Sequence, residues 1–296
     1  MKPTGYPPLA KGMTTNNVGG WAAAAIQRLA SETDTPGLEA QLLLGHVLGW
    51  PRTRVAAHPE ITLSVEEVEQ LEALLSRRVN GEPLPYLLGE WEFYGLKFWV
   101  TPDVLIPRPE TELLVEIALG WLQTHPEKRR AADVGTGSGC IAVALTRQVP
   151  DLHMTAIDSS PAALKIATKN KQRHDVEARI SCVQSDLLNA CHGPFDLVCA
   201  NLPYIPSETV DGLPVAAYEP RQALDGGPDG LDLIDRLLTD SPRWLAPGGL
   251  ILLEIESGQG QSAAALAQSR LPEALIVTLP DLAGKPRILR VEKVAE

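Results

Sequence analysis

The sequence is poor in the residues that mark disulfide-built or metal-built proteins. Its four cysteines, Cys140, Cys182, Cys191 and Cys199, form no CxxC pair. That excludes a zinc ribbon and fits a reducing compartment, where thiols pack as small hydrophobes. His153, His174 and His192 are scattered without metal-ligand spacing, no HExxH or GxSxG occurs, and Lys285 lacks the upstream glycines of a P-loop. No metal is expected. Long apolar runs are missing too, since nowhere do about 18 apolar residues follow one another. Residues 1–17 mix Pro, Gly, Thr and Asn without the apolar stretch of a secretory leader. A cytoplasmic chain without a membrane partner is expected, and it is read as a monomer.

Positive charge is also in short supply. A formal net charge of −11 argues against a polyanion as the main substrate, because DNA and RNA are bound through clustered Lys and Arg. The only short basic clusters, Arg77-Arg78 and Lys128-Arg129-Arg130, read as solvated ends of elements, so no direct nucleic-acid partner is expected.

What is present is ordinary core material. With 296 residues, 44% of them hydrophobic, the chain has enough for two domains, or one with a large extension. Trp21, Ala24, Ala25, Ile26 and Leu29 recur at helical spacing, as do Leu38, Leu42, Leu43, Val47 and Leu48. Ser64 with Glu67 three residues on reads as a capping box that opens a third helix through Val68, Leu71, Leu74 and Leu75. Residues 1–86 are therefore assigned to a small helical domain. Aromatic and β-branched residues then alternate around Gly95, which predicts a β-hairpin, and residues 87–109 are read as a connector. Pro107 and Pro109 stop any extension, and Glu110-Thr111-Glu112 opens a helix.

From Arg130 onward, short apolar runs alternate with helical windows, the pattern of a mostly parallel sheet with crossover helices. Strands are predicted over 131–134, 152–157, 178–183, 195–200, 249–255, 274–279 and 287–292. Residues 110–296 thus form an α/β, Rossmann-like domain.

The run Asp133 to Gly139 carries Gly135, Thr136, Gly137, Ser138 and Gly139 between the first of these strands and a helix. Glycines let the backbone turn sharply and approach a ligand, while the helix N-terminus offers free N–H groups. Asp158 closes the next strand, where a carboxylate can accept hydrogen bonds from a ribose diol; it can equally cap the helix after it. Asp186, after the third strand, can reach an adenine amino group or cap a short helix near Leu187. Together these features predict a nucleotide-bearing cofactor. NAD is the rival, but the Leu245 to Gly249 turn before an apolar strand, and the two last strands, resemble the ending of class I methyltransferases.

The fourth strand, Phe195 to Ala200, runs into Asn201-Leu202-Pro203-Tyr204. An amide nitrogen is a poor nucleophile because its lone pair is delocalised, so a catalyst must orient it and relieve developing charge. The Asn201 side-chain oxygen and the Leu202 carbonyl can accept both N–H bonds of an NH₂ group. Pro203 stiffens the backbone, and the Tyr204 ring can pack against the planar group. No general base is needed, since the methylated nitrogen becomes acidic enough to release its proton to water. The quartet alone therefore points to a planar nitrogen acceptor.

Several stretches together resemble the bacterial release factor glutamine methyltransferases, the PrmC or HemK family. These are Gly81-Glu82-Pro83 with Tyr86 and Gly89, Val104 to Glu112, Asp133 to Gly139, Asn201 to Tyr204, Glu219-Pro220 with Ala223-Leu224, Gly226-Gly227, Asp229-Gly230-Leu231 and Glu254-Ile255. Ile106 to Glu112 is the most family-specific of them. The resemblance implies a class I S-adenosylmethionine-dependent fold, with a seven-stranded sheet, in which Gly135 to Gly139 and Asp158 bind the cofactor. It places Asp186 and Leu187 beside the adenine, and Asn201 at both the cofactor and the substrate. Asn201 to Tyr204 would receive the glutamine of the Gly-Gly-Gln loop in class I peptide-chain release factors, and the N-terminal domain would engage the release factor body.

The chain departs from the family pattern at three places: Leu202 stands where a proline is usual, Leu187 where an aromatic residue is frequent, and Glu256 where glycine is common. Two other readings remain. One is a DNA or RNA adenine N6-methyltransferase, which shares such a quartet. The other is a non-catalytic adaptor that holds a translation protein with its N-terminal helices.

Overall fold

A computed structural model describes residues 16–294. The irregular opening expected over residues 1–17 lies outside them except for Asn16 and Asn17. The chain divides into two compact units, the first ending at Leu88 and the second starting at Gly89.

In the first unit, α1 (Val18–Leu29), α2 (Pro36–Leu48) and α4 (Val65–Val79) follow the predicted periodicities, and α3 (Arg52–Ala57) and α5 (Leu84–Leu88) are added to them. Each long helix has an identifiable start or stop. The Asn17 side chain accepts from the Gly20 N–H, Gly49 ends α2 in the left-handed conformation, and Ser64 with Glu67 forms the full capping box. Trp21, Leu29, Leu43, Leu44, Leu71 and Leu75 are fully buried between them. Two carboxylates crosslink the helices. Glu72 accepts from Trp21 Nε1 at 2.9 Å and from Arg28 at 2.6 Å, and Glu39 takes both arms of Arg78.

The second unit begins with the hairpin β1 (Glu90–Phe93) and β2 (Leu96–Trp99), paired antiparallel around Tyr94-Gly95. Both turn residues have positive φ, the geometry of a two-residue turn that matches strand twist. Phe93 and Phe98 point into this unit's core and meet edge to face.

Next come α6 (Thr111–Thr124), β3 (Arg130–Val134), α7 (Cys140–Gln148), β4 (His153–Asp158), α8 (Pro161–Arg173), β5 (Ile180–Gln184) and β6 (Phe195–Ala200). They are followed by α9 (Ser207–Val210), α10 (Asp232–Trp244), β7 (Leu245–Glu254), α11 (Gly260–Arg270), β8 (Leu275–Pro280) and β9 (Pro286–Glu292). The seven-stranded sheet has the order β5-β4-β3-β6-β7-β9-β8, and β9 runs antiparallel to both neighbours.

Side chains alternate across the sheet, so each strand feeds two cores. Ala131, Leu197, Cys199, Leu250 and Leu252 pack towards α6 and α7, whereas Ala132, Val134, Val198, Ala200, Ile251 and Leu253 pack towards α10 and α11. This accounts for strands that read as nearly continuous apolar runs. One local feature differs from expectation. The predicted turn at Leu245 to Gly249 is absorbed into β7, where Phe195 pairs Leu245 but Leu197 already pairs Leu250. The extra β7 residues form a bulge, with Gly248 at φ 63° supplying the bend.

Candidate active site

The sheet's connections reverse direction between β3 and β6, because β4 and β5 lie on one side and β7 on the other. Open α/β sheets bind ligands at this switch point, outside the carboxyl ends of the strands. A cleft of about 970 Å³, part of it open to solvent, lies there within the second unit. Its wall includes Gly135, Thr136, Gly137, Ser138, Asp158, Asp186, Leu187, Asn201, Leu202 and Pro203. Gly139 and Tyr204 are not on the wall. Segments not assigned to the site from sequence complete it: Asp103 to Arg108 before α6, Thr111, and Pro220 to Ala223.

The glycine loop is shaped for close approach. Gly135, Gly137 and Gly139 all have positive φ. A Cβ on Gly139 would press on Ala167 of α8 at 3.1 Å, whereas one on Gly137 would project into open space beside the cleft. Gly139 is thus needed for helix packing, whereas at Gly137 the left-handed backbone, not crowding, calls for glycine. Asp158 grips the loop by accepting from the Gly137 N–H at 2.9 Å and, with its other oxygen, from the Ser160 N–H at 2.9 Å. The cap expected of Asp158 falls instead to Ser160, whose hydroxyl accepts from the Ala163 N–H of α8 at 3.2 Å, while Asp158 orders that residue and keeps lone pairs for further donors. Burial raises its pKa despite those N–H donors.

Below the loop, Asp133 is fully buried. Its Oδ2 accepts from the Thr136 hydroxyl at 2.6 Å and from the Ala142 N–H at 3.2 Å, and its Oδ1 has no partner among the described residues. Burial pushes this carboxyl up to about 7. No helix starts at Leu187. That residue sits in a turn with φ 49°, and Asp186 is an exposed acid paired with Arg236 of α10.

The quartet is held by residues distant in sequence. Asn201 Nδ2 donates to Thr111 Oγ1 at 3.0 Å, Thr111 donates to Glu254 Oε2 at 2.7 Å, and the Tyr204 hydroxyl donates to Glu254 Oε1 at 3.3 Å. Thr111 and Glu254 are both buried. Burial raises the Glu254 pKa, with the Thr111 and Tyr204 hydroxyls and the nearby Arg287 charge working against it; burial likewise raises that of Tyr204.

The backbone of the quartet is clamped as well. Gln259 Nε2 donates to the Tyr204 carbonyl at 2.9 Å and to that of Asp229 at 3.2 Å. At Gly230 a Cβ would overlap the Tyr204 carbonyl, so only glycine fits. Leu202 is buried among Val134, Leu231 and Ile234, and its side chain packs over Gly135. Packing thus supplies the stiffness that a proline would give. Arg108 donates to both oxygens of Glu219 at 2.6 and 2.7 Å, tying the segment before α6 to the wall opposite. Burial raises the Glu219 pKa, and Arg108 opposes it.

Thr111, Asp133 and Glu254 were not assigned to the site from sequence. A signal existed for the two acids, because each lies at the carboxyl end of an apolar strand, Glu254 as its last residue and Asp133 as its last but one, where a buried acid needs a partner.

The reversed β9 gives the sheet the ending expected of a methyltransferase, and the second unit is a class I methyltransferase domain. The Methyltransferase small domain family matches residues 110–213, and the PrmC N-terminal domain family matches residues 21–89. A methyltransferase from Pyrococcus furiosus shares the fold at a TM-score of 0.50 and 17% identity, covering 68% of this chain and 91% of its own. The release factor glutamine methyltransferase of Moorella thermoacetica is 43% identical over 89% of this chain and 94% of its own. That of Bordetella pertussis is 41% identical over 89% and 97%. The chain belongs to the release factor glutamine methyltransferase family.

Proposed function

We propose that this enzyme transfers a methyl group from S-adenosylmethionine to the side-chain amide nitrogen, N5, of the glutamine in the Gly-Gly-Gln motif of class I peptide-chain release factors, in the cytoplasm and as a monomer. The observation that carries the reading is the Asn201 carboxamide on the cleft wall. Its nitrogen is taken by Thr111, so its oxygen is left to accept from an incoming amide.

Gly135 to Ser138, with Asp158, would hold the cofactor, and Asp186 and Leu187 would flank its adenine. The open position at Gly137 and the spare lone pairs of Asp158 fit such a ligand. When bound, S-adenosylmethionine supplies an electrophilic methyl group on a sulfonium. Asn201 Oδ1 and the Leu202 carbonyl would accept the two amide N–H bonds and so direct the nitrogen's electron density at that methyl. Tyr204 would act through Glu254 on the quartet's conformation. The helical first unit would engage the release factor body.

The test is incubation with methyl-labelled S-adenosylmethionine and a class I release factor. Label on the Gly-Gly-Gln glutamine is expected. Cofactor binding without transfer, or preferential labelling of nucleic acid, would overturn the reading in favour of an adaptor or an adenine N6-methyltransferase; the net charge of −11 already weighs against the latter.

A further inference from the structure

Asn201 has an oxygen on one side of its carboxamide and a nitrogen on the other, and which one faces the cleft decides what the site can hold. An outward oxygen accepts from an amide NH₂, whereas an outward NH₂ would welcome a carboxylate. Asn201 cannot set this choice alone, because the two orientations differ little in shape. The choice is made behind it. Thr111 has a single hydroxyl proton, and that proton is committed to Glu254 Oε2 at 2.7 Å. Thr111 Oγ1 can therefore only accept from Asn201, and the partner it meets at 3.0 Å is Nδ2. Glu254 cannot turn away, since its other oxygen accepts from Tyr204 and the residue is only 1% exposed.

We propose that Thr111 and Glu254 are positioning residues that set the sense of the Asn201 carboxamide and thereby make the site select a neutral amide over a carboxylate as the acceptor side chain. This rests on the glutamine reading above. The two oxygens of a carboxylate entering the same place would meet Asn201 Oδ1 and a backbone carbonyl, four acceptor oxygens with no proton among them. A site built to accept N–H bonds rejects an analogue that lacks them more strongly than an apolar pocket can. Reversal of the Asn201 amide would remove that rejection.

The experiment uses the full-length enzyme and two forms of one release factor, the natural Gly-Gly-Gln protein and its Gly-Gly-Glu variant. The variants Thr111→Val, Thr111→Ser and Glu254→Gln are compared with the parent. For each, kcat and KM are measured on Gly-Gly-Gln, the inhibition constant is measured for Gly-Gly-Glu, and the dissociation constant is measured for S-adenosylhomocysteine. The parent should methylate Gly-Gly-Gln and be inhibited only weakly by Gly-Gly-Glu. Thr111→Val should lower kcat by roughly 100-fold, the scale of a misplaced reacting group, leave S-adenosylhomocysteine affinity unchanged, and bring the two release factors towards equal affinity. Glu254→Gln should erode the discrimination in the same direction, and Thr111→Ser, which restores the hydroxyl, should recover both kcat and discrimination.

Retention of parental discrimination by Thr111→Val overturns the proposal. So does a parallel loss of kcat and S-adenosylhomocysteine binding that Thr111→Ser does not recover, which would mark a purely structural role. A parent enzyme that binds S-adenosylhomocysteine but does not methylate Gly-Gly-Gln overturns the functional reading itself, and this proposal with it.

Discussion

The side chain of Asn170 takes both backbone groups of Trp99: Oδ1 accepts from the Trp99 N–H at 2.7 Å, and Nδ2 donates to the Trp99 carbonyl at 3.0 Å. The same Nδ2 donates to the Ser138 carbonyl at 2.8 Å. One buried carboxamide on α8 thus joins the end of the hairpin to the glycine loop, doing for β2 what a neighbouring strand would do. Asn170→Ala would strand three backbone groups. The expected destabilisation is about 3 kcal/mol, with weaker S-adenosylmethionine binding because Ser138 lies on the cleft wall. Denaturant unfolding and cofactor titration of the variant check both; parental stability would refute the role.

The buried Asp133 predicts a pH-dependent stability. Its folded-state pKa is raised from the usual 3.8 to about 7, chiefly by burial. The folded state therefore holds its proton more tightly than the unfolded one. This contribution is fully present below about pH 4 and is lost as pH rises through about 7, with a size of the order of a few kcal/mol. Asp133→Asn keeps an acceptor for Thr136 and Ala142 but cannot ionise. The parent should lose stability relative to this variant between pH 5 and pH 8, as read by thermal unfolding. A difference that does not change with pH would contradict the assignment.

Leu202 separates rigidity by packing from rigidity by ring closure. Leu202→Ala should leave a cavity over Gly135, cost about 2–5 kcal/mol and lower kcat, because the carbonyl proposed to receive the amide loses its support. Leu202→Pro, the residue usual in the family's quartet, should retain transfer. Steady-state kinetics of the pair decide the matter; an active Leu202→Ala enzyme of parental stability would show that the packing is dispensable.

Asn201→Ala removes the proposed acceptor while leaving the glycine loop and Asp158 in place. Methyl transfer to the release factor should fall below detection, while S-adenosylhomocysteine affinity, measured by calorimetry, should change by less than about tenfold, equivalent to 1.4 kcal/mol. Substantial residual transfer would move the acceptor role elsewhere on the wall.

Local features were legible because local rules generate them. Helical spacing placed α1, α2 and α4, and the Ser64–Glu67 pair marked a helix start that the structure reproduces bond for bond. Alternation and run length placed all the strands of the large sheet to within a few residues. The glycine loop, Asp158 at the end of β4 and the quartet were legible because tight turns and strand ends restrict which residues fit. The exception is instructive. Pro247-Gly248 has the local chemistry of a turn, yet pairing to β6 at Leu245 before it and at Leu250 after it carries β7 through it as a bulge.

By itself, then, the sequence determined the doubly wound sheet, the nucleotide-type loop and a quartet suited to a planar nitrogen, since each is a matter of periodicity or of turn chemistry within a dozen residues. Tertiary structure alone decided which groups stand behind that quartet. Thr111 lies 90 residues from Asn201 and 143 from Glu254, yet the three are joined by hydrogen bonds. The direction of such a chain depends on which groups are shut away from water together. A hydroxyl that donates to solvent when the chain is extended has, once buried, only the Glu254 carboxylate to give its proton to.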